Sequence, residues 1–240
     1  MLRRIAAASA CVLFTVPALR AQNLTDICQR VMRPPVGAWS RFRVEGGREN
    51  GATVRMAVVG TEEHGDTTYL WLEMEMHGVP MDGSRGEAAG AGDTVTVISK
   101  SLVRGFGPGM AGPREVVIKW GTMPAMAMPM NGPRVGGPAP GSEALRNCER
   151  GRIVGWESVT VPVGTFRALH VQDENGGGDL WIQPDLPFAL IKTEKESGAN
   201  AQNLVLVAHG TGARTAITET PQPFNPQAFM QMMMQQRQPH

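Results

Sequence analysis

The chain predicts a mainly β fold: one curved antiparallel sheet, as a half-barrel or open barrel, with one or two short helices. Three observations carry that expectation. Between residues 153 and 194 each apolar run is short and closes on a turn signal: IVGWESVTVPVGTFRALHV, then a Gly-rich loop, then GDLWIQPDLPFALIKTE. This is how antiparallel strands read when no helix intervenes. Between residues 42 and 76 apolar side chains recur with a period of two, so one side of each strand faces a core. No repeated helical segments separate these runs, and roughly nine to eleven strands in about 190 residues fit a single antiparallel domain.

Residues 1 to 21 begin with Arg3 and Arg4, continue through an alanine-rich apolar run over residues 5 to 16, and end on Pro17, Ala18, Leu19, Arg20 and Ala21. A positive start, an apolar run too brief to span a bilayer and a small residue before Gln22 make a secretory signal peptide cut after Ala21. Cys11 as a lipid-attachment cysteine is a competing reading, weakened because the apolar run continues past it. Of the 23 basic side chains, Arg3, Arg4 and Arg20 leave with the signal, so 20 remain against 22 acidic ones and the mature charge is −2. That leaves no basic field to attract nucleic acid or anionic lipid. No later apolar run approaches the roughly 20 residues needed to cross a bilayer, so the expected address is periplasmic or secreted. Cys28 and Cys148 survive cleavage, and an oxidising compartment favours a disulfide between them over two free buried thiols. That bridge closes a loop of about 120 residues, for which chain entropy gives an upper figure of about 5 kcal/mol.

The mature β-rich domain is expected over residues 22 to 218. Leu24, Ile27, Cys28 and Val31 fall at helical spacing behind Asn23 and Thr25, either of which can cap a first turn, and this short helix ends at Pro34 and Pro35. Strands follow around Phe42 and Val44, around Val54, Met56 and Val58, and around Leu70, Leu72, Met74 and Met76. Gly46, Gly47, Asn50 and Gly51 turn the chain between the first two, and His64, Gly65 and Asp66 between the next two. Further strands are expected at residues 94 to 103 and 115 to 120, while residues 83 to 92, 105 to 112 and 123 to 141 read as loops by composition. Past Ile153, Val159 and Val161 alternate up to a turn at Pro162 and Gly164. In the next strand Leu169 and Val171 are out of phase with Phe166, which requires burial on both faces or a bulge. Leu180 to Ile182, residues 189 to 192 and residues 204 to 208 complete the sheet. Residues 219 to 240 form a Pro/Met/Gln-rich tail, either flexible or helical from Asn225 and Pro226.

No local catalytic signature is present. Residues 107 to 112 spell G-x-G-x-x-G, but Pro113 and a strand follow where a dinucleotide site needs a helix. There is no G-x-S-x-G, H-E-x-x-H or paired C-x-x-C, and His64, His77, His170, His209 and His240 are far apart in sequence. Asp173, Glu174, Asn175 and Asp179 on a Gly-rich loop offer oxygen ligands for calcium, although acidic residues are also ordinary at hairpin tips. Met123, Met126, Met128 and Met130 crowd one loop and Met230, Met232, Met233 and Met234 the tail, a thioether density suited to Cu(I) or to covering irregular apolar surface. Trp39, Trp71, Trp120, Trp156 and Trp181 lie on or beside expected strands. Such rings either fill a core or line an apolar hollow for a lipid-like ligand; the ligand-binding candidates are Trp156, Val159, Val161, Phe166, Trp181 and Trp71.

The run from Gly155 through Trp156, Pro162, Gly164, Phe166 and Ala168, then Trp181 and Leu190, Ile191 and Lys192, resembles a V-x-x-G-x-F-x-A … W … P … G-L-V-K ending found in uncharacterised exported bacterial families. Those families are similar to lipoprotein-carrier (LolA/LolB-like) half-barrel proteins, and Val36, Gly37, Ala38, Trp39 and residues 69 to 73 resemble their opening strands. The resemblance implies a twisted antiparallel sheet with a concave apolar face and no enzymatic activity. The expected role is non-catalytic binding of an apolar or lipid-like ligand, or of an envelope partner, without cofactor and without nucleic acid. A Met-rich copper-handling protein and an interaction module with no ligand are the alternatives. A hydrolase stays open because triads assemble in space.

Overall fold

The computed structural model describes residue 27 and residues 34–47, 49–80, 94–104, 112–129, 151–173, 178–195 and 202–236. The signal peptide, Cys28, Cys148, Met130 and most of the 107–112 glycine string lie outside them. The strands are β1 (Trp39–Glu45), β2 (Thr53–His64), β3 (Thr67–Pro80), β4 (Thr94–Val103), β5 (Glu115–Trp120), β6 (Met126–Ala127), β7 (Arg152–Val161), β8 (Gly164–Asp173), β9 (Gly178–Ile182), β10 (Leu190–Glu194), β11 (Asn203–Gly210) and β12 (Gln222–Pro223). One helix, α1 (Pro226–Gln236), follows.

They form one open, curved sheet that does not close into a barrel, in the order β12-β6-β5-β4-β3-β2-β1-β11-β10-β9-β8-β7. Two meanders, β1 to β6 and β7 to β11, are thus joined by an antiparallel ladder between β1 and β11. The expected antiparallel pairing holds everywhere except at one end, where β12 runs parallel to β6. The first turn forms where its glycines predict: Gly46, Gly47 and Gly51 adopt φ of 80°, 67° and 85°, and the Gly46 amide donates to Asn50 Oδ1 at 2.9 Å.

Cross-strand partners place Phe42, Val54 and Leu206 on one face with Val44 and Leu204, and Val58 beside Leu72. With Leu180, Ile182 and Ile27 these make the main core, and Phe42, Val44, Val54, Leu204 and Leu206 are fully buried. The out-of-phase pattern of β8 resolves as burial on both faces, since Ala168 and its neighbour Leu169 are both in the core. Between β9 and β10 the chain turns through Phe188 and Ala189 at φ of 58° and 49°, both buried. Ser40 Oγ donates to the Pro187 carbonyl at 2.7 Å and pins that turn to β1.

The opposite face is crossed by residues 211–221, which strap the first meander. The Ala213 amide donates to the Gly37 carbonyl at 2.9 Å, and Trp39 Nε1 to the Thr211 carbonyl at 3.3 Å. Over β3 the Thr215 hydroxyl and the Ala216 amide both donate to the fully buried Glu73 carboxylate, the latter at 2.9 Å. Over β4 and β5 Ile217 packs with Ile98, Val117 and Ala125 as a second, smaller core. Lys119 and Glu219 then pair at 2.6 Å, and the Gln222 amide reaches the Ala125 carbonyl at 2.8 Å to start β12. Glu219 and residues 222 and 223 thereby contact the sheet edge. In the tail, Asn225 Oδ1 accepts from the Gln227 and Ala228 amides at 3.0 and 3.1 Å, and the Phe224 and Phe229 rings lie 5.8 Å apart across the helix start. That is an N-cap with a hydrophobic staple, and the helical reading of the tail is the one realised over residues 226 to 236.

Candidate functional site

β8 and β9 pair in a register that sets His170 opposite Trp181 and Gln172 opposite Asp179. The neighbouring ladders extend these rows: Gly155 pairs with His170, and Lys192 with Trp181. Leu169 and Ile182 point the other way, into the core. A polar and aromatic cluster results on the face opposite to Leu180 and Ile182, built from Glu157, His170, Asp179, Trp181, Lys192 and Glu194.

Trp181 is its centre. The imidazole of His170 stacks on the indole with centroids 4.5 Å apart and an 18° interplanar angle, and Lys192 Nζ sits 4.1 Å from the ring centroid. The indole N–H donates to Glu157 Oε1. His170 lies between two carboxylates, with Nε2 3.4 Å from Asp179 Oδ1 and Nδ1 3.6 Å from Glu157 Oε1. Neither contact is an aligned hydrogen bond, and His170 Nε2 and Asp179 Oδ1 are buried without one. Lys192 is held at its other side by Glu194 at 2.6 Å. The cluster therefore uses the indole internally and presents to solvent only its charged rim, Glu157, Lys192 and Glu194. Among the described residues no group of three or more His, Cys, Asp or Glu side chains is arranged to hold a metal ion.

The ligand-binding candidates do not line one surface. Val159, Val161 and Trp181 are buried, Phe166 packs against the core with its ring 6.4 Å from His209, and Trp156 stands exposed beside Arg167 on β7. Trp71 lies away from them on β3, its N–H donating to Glu62 Oε2 at 3.1 Å and its ring 4.7 Å from Lys100 Nζ. Met123 and Met126 are buried around β6, where they fill space between strands, and Met128 is half-buried. Of the calcium candidates, Asp179 faces His170, and residues 174–177 lie outside the described residues. His170, Glu157 and Lys192 escape a search by sequence proximity because they come from three strands. The readable signal is the strand pair itself: once Asp173 stands opposite Gly178, His170 and Trp181 must pair.

No protein-family model matches the chain, and no curated protein matches it. Two solved structures are similar in arrangement. One is a candidate lipoprotein from Parabacteroides distasonis, 12% identical, with 75% of this chain and 98% of that one covered at a TM-score of 0.32. The other is a candidate exported protein with YmcC-like fold from Bacteroides fragilis, 10% identical, with the same coverage and a TM-score of 0.32. At that score the likeness says nothing about what this chain binds or does.

Proposed function

We propose that this chain is an exported, non-catalytic binding module of the bacterial envelope, and that it recognises an envelope partner through the β7–β10 part of its sheet. The observation that supports a partner over an enclosed lipid is the packing of the core face, where, among the described residues, Phe42, Val54, Leu180, Leu204 and Leu206 are fully buried against one another. The signal peptide and the likeness to lipoprotein-carrier sequences support the envelope address. Around the buried Trp181, the partly exposed side chains of Glu157, Lys192 and Glu194 supply the charged groups found at the rim of such contacts. Native mass spectrometry of protein purified from its own envelope tests this. The expected spectrum carries no lipid adduct, and a photoreactive side chain at position 194, exposed on the cluster face, is expected to give a discrete adduct in intact cells while one at Val36 gives none. A lipid that survives purification overturns the partner reading in favour of an apolar ligand.

A further inference from the structure

The two edges of the sheet differ. One ends in β12, two residues long and containing Pro223, which cannot donate a ladder hydrogen bond. The other ends in β7, ten residues from Arg152 to Val161 without Lys or Pro. Ile153, Val154 and Trp156 there are 43%, 49% and 43% exposed. A long, apolar edge of this kind is a template for another strand.

The bulge in β7 says which strand. Ile153 pairs with Val171 and Gly155 with His170, which leaves Val154 as an extra residue. Residues an odd number apart in a regular strand lie on opposite faces; the extra residue removes that bar. Ile153 and Trp156, partners of Val171 and Leu169, share one face, and Arg152 and Glu157, partners of Gln172 and Ala168, share the other. An antiparallel two-fold centred between Val154 and Gly155 therefore sets Ile153 against the second copy's Trp156 on one face. On the other, Arg152 and Glu157 already have partners within their own chain, Gln172 and Trp181, so the apolar pair carries the match. That pair occurs twice, and Val154 meets a glycine around which a Cβ would find open space.

We propose that β7 pairs edge to edge with β7 of a second copy of this chain, making one continuous sheet across a two-fold axis. This goes beyond the proposed envelope role, because the edge can pair whether or not the Trp181 cluster engages a partner. Sedimentation of the mature chain over a concentration series tests it: a monomer–dimer equilibrium is expected below about 100 µM. The double variant Ile153→Lys with Trp156→Lys, both exposed positions, is expected to be monomeric with an unchanged circular dichroism spectrum. Ile153→Lys or Trp156→Lys alone is expected to weaken the dimer about tenfold, the pair occurring twice. A chain that stays monomeric at about 100 µM overturns the proposal, as does a dimer that survives the double lysine variant.

Discussion

Two carboxylates tie residues 211–221 to the sheet, and they predict different behaviour. Glu73 is fully buried and accepts from the Thr215 hydroxyl and the Ala216 amide. Removing it strands the Ala216 amide and leaves the Thr215 hydroxyl only the Ile217 carbonyl at 3.3 Å, so Glu73→Ala is expected to lower stability by about 2 kcal/mol in a urea titration. Glu219 is at the surface, where the hydrogen bond from Lys119 holds its pKa below the ordinary 4.5. A depressed carboxylate pKa stabilises the fold above the ordinary value, and the contribution disappears as pH falls through the lowered one. Glu219→Gln is therefore expected to lower Tm at pH 7, with the difference from the parent chain vanishing in acid. Equal differences at both ends of the pH range would show that Lys119 does not act through charge. At this scale the sequence was least informative: neither glutamate stands out until the strap is laid over the sheet, since their partners are 94 or more residues away.

Among the elements, the strands were legible and the strap was not. The two-residue period over β1 to β3 and the turn residues between them are local properties, and β4 and β5 start and stop at the expected residues. By contrast, β6 and β12 are two residues each within Pro-rich segments. Nothing local favours a strand there; the ladder exists because Gln222 and Ala125 are brought together by Ile217 and Glu219. Ile217→Ala is accordingly expected to cost about 2 kcal/mol. Its mark in amide exchange is faster opening of β5, β6 and β12, with β8 to β10 unchanged; uniform acceleration would mean that the strap belongs to the main cooperative unit. The Trp181 cluster lies between these cases. Its rings are visible as strand residues, yet their convergence depends on two ladders whose registers each shift by a residue, at Ile153/Gly155 and Leu190/Lys192.

For the whole molecule, a single mainly β domain was readable because the alternation is strong and helices are few, and the structure has that form. Which strand lies beside which was not readable past neighbours in sequence. Cys28 and Cys148 fall outside the described residues, and their bridge is checked by intact mass, which is expected to rise by two hydrogens on reduction. The joint between the meanders sets a clock on folding. β1 is among the first strands made and β11 the last of the main core, and until residues 203 to 210 arrive Phe42 and Val44 have a partner on one side only. Such long-range closure is slow, in the range of milliseconds to seconds or beyond. The chain must therefore wait in a half-paired state, and substitutions such as Leu206→Ala are expected to slow refolding in stopped-flow traces more than equally destabilising changes within β8.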